Sequence, residues 1–94
     1  MMRMSLTMDL GEVRHIKIKV KSAKQEEFLI DDAYFDLKKC DSAESEDTGK
    51  ANIIDSHTLD VVISPKHIGE YDLKYTYHIA DETLIDVVRV RVIG

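Results

Sequence analysis

The run Ser64-Pro65-Lys66-His67-Ile68-Gly69-Glu70-Tyr71-Asp72-Leu73-Lys74-Tyr75-Thr76-Tyr77 restricts the possible folds more than any other part of this chain. Pro65 has no backbone donor to give to a ladder and so ends a strand. Gly69 tolerates the backbone angles of a sharp bend. Beyond it Tyr71, Leu73, Tyr75, Tyr77 and Ile79 alternate with Asp72, Lys74, Thr76 and His78, which is period two with one apolar face. A strand end, a bend, and then a long strand that opens on an inward Tyr predict a corner between two face-packed sheets.

The same period recurs along the chain while helical periodicity is poor. Met4, Leu6, Met8 and Leu10 alternate with Ser5, Thr7 and Asp9. Ile16, Ile18 and Val20 alternate with His15, Lys17, Lys19 and Lys21, giving an aliphatic face and a lysine face suited to an edge strand. Ser22 to Glu26 reads as a turn, Phe28–Ile30 as a short strand, and Ala33, Phe35 and Leu37 as the inward face of the next one. The polar, acidic stretch Asp41 to Gly49 reads as the longest loop. Ala51–Ile54 reads as a short strand. Leu59, Val61 and Ile63 then alternate with Thr58, Asp60 and Val62. Ala80-Asp81-Glu82-Thr83 forms a hairpin turn before a last strand with Val88, Val90 and Val92 inside and Arg89 and Arg91 outside. Seven or eight short, evenly spaced strands indicate a sandwich or small barrel.

Ninety-four residues make one domain, which at this size buries roughly 60–65% of its unfolded surface. The formal charge is −5, and its distribution is uneven. Residues 1–30 hold six bases and four acids (+2), and residues 31–94 hold seven bases and fourteen acids (−7). An acidic balance opposes nucleic-acid binding, which draws its affinity from phosphate neutralisation. The lysine face also lacks the aromatics of a stacking platform. Cys40 is the single cysteine, so no internal disulfide forms and a reducing compartment is favoured. Residues 1–10 lack a signal-peptide apolar run, and nothing approaches the ~20 apolar residues of a membrane helix. Synthesis in the cytoplasm and no membrane partner are expected, unless a leader has been removed.

The residues that could carry chemistry do not converge. His15, His57, His67 and His78 form no pair at metal-ligand spacing, and none is near Cys40 in sequence. Lys38 and Lys39 precede Cys40 and would lower a thiol pKa, but a nucleophile also needs a base and an oxyanion site. The loop 41–47 holds four acids in seven residues. Its spacing does not match an EF-hand, and a solvated mobile loop accounts for it equally well. Asp31-Asp32 reads as a turn. The lysine face would join Arg89 and Arg91 in a basic stripe only if those strands were neighbours. Pairing with Asp60 or Asp72 across a sheet is the plainer use of these cations. No cofactor, metal site or catalytic residue is expected.

The pattern Pro65-x-x-x-Gly69-x-Tyr71-x-Leu73-x-Tyr75, a hairpin and a Val-rich last strand resembles the final third of bacterial and phage immunoglobulin-like domains, and more loosely filamin-type repeats. With its Gly11-Glu12-x-Arg14-x-Ile16 opening and Ala80-Asp81-Glu82 hairpin, the chain over about 11–94 is also similar to small proteins of phage and prophage structural gene clusters. It departs from better-known immunoglobulin domains in placing Leu73 where they have Cys and in having no Trp. The resemblance implies an all-β, immunoglobulin-like antiparallel β-sandwich of seven or eight strands over 11–94, with 1–10 an N-terminal arm or extra strand. Pro65, Gly69 and Tyr71 would be its structural corner, with the Tyr71 hydroxyl bonded to backbone a few residues upstream. It implies a non-enzymatic virion component of head or tail with protein partners, either further copies of itself or a neighbouring virion protein. Met4, Leu6, Met8 and Leu10 are the candidate interface. The alternative is a cell-surface adhesion or ligand-binding module working through loops such as 41–50.

Overall fold

A computed structural model describes residues 4–20 and 28–94, and these form two β-sheets and no helix. The strands are β1 (Met4–Asp9), β2 (Arg14–Lys19), β3 (Asp32–Lys39), β4 (Ser45–Lys50), β5 (Asn52–Ile54), β6 (Thr58–Ile63), β7 (Gly69–Ile79) and β8 (Glu82–Ile93). One sheet has the order β1-β8-β7-β3-β4 and the other β2-β6-β5. The turn expected at Ser22–Glu26 lies outside the described residues.

The inward residues are the alternating apolar ones. Tyr71, Leu73, Tyr75 and Tyr77 of β7 sit beside Val88 and Val90 of β8 and face Ile16, Ile18, Leu59, Val61 and Ile63 of the smaller sheet, all buried. Tyr71 and Tyr75 are fully enclosed. Each such aromatic ring is worth roughly 2–3 kcal/mol in area removed from water. The Tyr75 hydroxyl donates to the Ile16 carbonyl at 2.8 Å and so ties β7 to β2 across the core.

Four local features differ from the sequence reading. First, β1 runs parallel to β8, with Met4 beside Val88 and Asp9 beside Ile93, so the sandwich is not wholly antiparallel. Alternation specifies which face is buried and carries no information about strand direction. Second, half of the expected acidic loop is strand: Ser45–Lys50 pairs with β3, and only the connection after Lys39 remains outside the ladder. Its burial pattern shows no alternation, so backbone pairing holds it rather than an apolar face. The Phe35 ring lies against Gly49, where a Cβ would come within 3.1 Å of it. Third, Phe28–Ile30 joins no ladder, although Ile30 is buried and its N–H reaches the Ser56 carbonyl. Fourth, Asp60 is 6% exposed on the face expected to be solvated, because β6 is the central strand of its sheet and its neighbours cover it.

Candidate functional site: the corner and the sheet edges

The segment from Pro65 to Tyr71 connects β6 of the smaller sheet to β7 of the larger one. Pro65 is buried after β6, and Gly69 opens β7 at φ +136°, a region that favours glycine. The Tyr71 ring is wholly buried beneath the bend. Its hydroxyl proton goes to a side chain, while the backbone amides of Lys66 and His67, a few residues upstream, face its oxygen. The hydroxyl donates to Glu46 Oε1 at 2.7 Å, and Glu46 Oε2 accepts the Lys66 backbone N–H at 3.1 Å. One carboxylate on the edge strand β4 therefore clasps both the ring and the backbone of the turn that precedes it. Burial first, then the Glu46 hydrogen bond and charge, push the Tyr71 pKa up to about 12, against the pull of the His67 and Lys66 amides. No sequence signal marks Glu46, which stands among acids in a stretch without apolar alternation.

The two inward tyrosines beyond it behave alike. Burial, then the Asp60 charge, push the Tyr75 phenol up. Burial, then the hydrogen bond its hydroxyl donates to Asp86 Oδ2 at 2.6 Å, do the same for Tyr77.

The other candidates are dispersed. His15 Nδ1 lies 3.0 Å from Asp60 Oδ2, His78 pairs with Asp32, and the His57 ring packs edge-on against Phe28 with centroids 4.5 Å apart. Among the described residues no three His, Cys, Asp or Glu side chains are grouped to hold a metal ion. Cys40 is exposed, and its thiol is pushed up, not down: burial of the sulfur leads, followed by the Asp72 charge, so the preceding lysines do not activate it. It borders a shallow pocket with Lys39, Asp41, Gly69 and Glu70. Asp36 Oδ1 is buried without a hydrogen-bond partner on the outer face of the larger sheet, opposite Thr48 and Lys74.

No basic stripe forms, because β2 and β8 belong to different sheets. Arg89 instead donates to Asp72 at 2.7 Å and lies 3.8 Å from Glu70, while Arg91 reaches Glu70 at 3.0 Å. The outer face of β7 and β8 is thus a neutralised ladder of paired charges.

Of the four candidate interface residues, Met8 is 2% exposed and Leu6 packs partly buried against the core, both through β1 on the chain's own β8. Met4 and Leu10 remain exposed at 45% and 42%. Among the described residues four strands, β1, β4, β2 and β5, stand at sheet edges. The larger sheet is wider by two strands, so the smaller one does not cover it to both sides. No family model matches the chain, and no curated protein or solved structure is significantly similar to it.

Proposed function

We propose that this chain is a non-enzymatic, immunoglobulin-like interaction module, a structural component of a phage or prophage virion, which acts by offering its sheet edges to copies of itself or to a neighbouring protein. The strand order supports the immunoglobulin-like part of this reading. β2-β6-β5 follows the B-E-D order of an immunoglobulin sandwich and β8-β7-β3 its G-F-C order, with β4 added beyond C and β1 laid on G. An enclosed Tyr at the start of the F-equivalent strand, β7, further supports it. Among the described residues the Tyr71, Tyr75 and Tyr77 hydroxyls and the Arg89 and Arg91 guanidinium groups are engaged in clasps and ladders, and edge pairing is a route to partners that such a sandwich retains. The alternative, an adhesion or ligand-binding module, would use loops such as 41–50, of which 45–50 is strand β4.

The virion assignment is tested by inducing the host, purifying particles and searching them for this chain by mass spectrometry. Detection at a fixed stoichiometry is expected. Expression of the chain in induced cells without any in the particles would overturn it.

A further inference from the structure

The two sheets stack in a definite order. β2 lies over β7, joined by the Tyr75–Ile16 hydrogen bond, while β5 and β6 contact β3. The free edge of β2 therefore faces the β8–β1 flank, and the free edge of β4 borders the opposite flank. These flanks carry opposite charge. On β2, Arg14, Lys17 and Lys19 are exposed and meet no carboxylate among the described residues. At β4, Glu44 and Asp47 are exposed with no described ion pair, beside Asp41, which is 3.7 Å from Lys39; the exposed Lys50 at the far end of the strand leaves the stretch from Asp41 to Asp47 as the acidic part of this edge. Edge lysines ordinarily prevent stray pairing. Here the signs do more than prevent it: β2 repels a second β2 and the acidic 41–47 stretch repels its own copy, which leaves β2 with that stretch as the attractive combination.

From these positions we infer that copies of this chain associate head to tail, the acidic β4 flank of one against the basic β2 edge of the next. Because the two surfaces lie on opposite sides of one copy, the contact is heterologous, and its repetition builds an open row, not a closed dimer. A parallel register that sets Lys17 beside Asp47 also sets Arg14 beside Glu44 and brings no like charges together. This deepens the interaction-module reading by naming the partner, and does not depend on the virion assignment.

The test is light scattering and sedimentation of the full chain across a salt series, with two double variants. Wild type is expected to associate at low salt, with an apparent dissociation constant about tenfold higher when salt rises from ~0.02 to ~0.3 M, where the screening length shortens severalfold. Lys17→Glu with Lys19→Glu makes both flanks acidic, and Glu44→Lys with Asp47→Lys makes both basic. Each is expected to be monomeric alone, and an equimolar mixture is expected to associate again. All four positions are exposed, and circular dichroism confirms that each variant is folded. A wild type that stays monomeric at low salt, a double variant that associates alone as wild type does, or a mixture that fails to associate would overturn the inference. Particle incorporation, measured separately, would be unaffected by that failure if a different protein is the partner.

Discussion

Raising the pH above the ordinary tyrosine range should unfold this protein more steeply than one buried phenol could. Tyr71, Tyr75 and Tyr77 are all buried along the inward face of β7, and all three have pKa values pushed up by burial and, after it, by a carboxylate: Glu46, Asp60 and Asp86 respectively. In the unfolded chain each loses its proton near pH ~10. Between there and the folded value of about 12 for Tyr71, the native state holds protons that the unfolded state has released. The sign follows from linkage: stability is complete below the unfolded pKa and falls as pH rises through the window, by about 1.4 kcal/mol per unit for each such group. Three groups together cost about 4 kcal/mol per pH unit. A domain with ~5 kcal/mol of net stability would therefore cross its midpoint a little over one unit above pH ~10, and one with ~8 kcal/mol about two units above it. Denaturant titrations at ~0.3-unit steps from pH ~9 upward measure the slope, and phenolate absorbance reports the coupled deprotonation. A denaturation midpoint that stays level between pH ~10 and ~11 would refute the placement of these hydroxyls.

Two substitutions test the remaining contacts. Tyr71→Phe keeps the ring and removes one charge-assisted bond, at about 1.5–3 kcal/mol, whereas Glu46→Ala also releases the Lys66 amide. If the clasp is one unit, the double variant costs less than the sum of the two singles by at least ~0.5 kcal/mol, and strict additivity in chemical denaturation would contradict it. Met8→Ala should cost ~2–5 kcal/mol because the side chain is fully buried on β8, whereas Met4→Ala, 45% exposed, should shift the unfolding midpoint little. Equal effects of the two would mean that β1 does not pack as described.

What the residue pattern revealed, and what it concealed, follows from how each strand is held. The inward faces of β2, β3, β6, β7 and β8 were readable because each buries apolar residues at every second position, as Ile16–Ile18 and Val88–Val90–Val92 do. β4 was not, since Ser45–Lys50 offers no apolar face and depends on its ladder with Tyr34–Lys38. The pattern assigns Asp60 to solvent because alternation separates the two faces of a strand and is silent on whether neighbours cover the outer one. Pro65, Gly69 and Tyr71 were legible as a bend and a ring through their own stereochemistry. Their carboxylate partner lies 25 residues before the tyrosine in sequence, with nothing local to connect them.

The parallel ladder of β1 on β8 has a mechanical corollary. Load transmitted along the chain enters near Met4 and leaves near Ile93, and these lie at opposite ends of a ladder whose six residue pairs run in the same direction. Tension would slide the two strands past each other, so the interstrand hydrogen bonds resist together instead of peeling open one at a time. A sandwich fastened this way would yield late under stretching, with most of its resistance concentrated in that single seam.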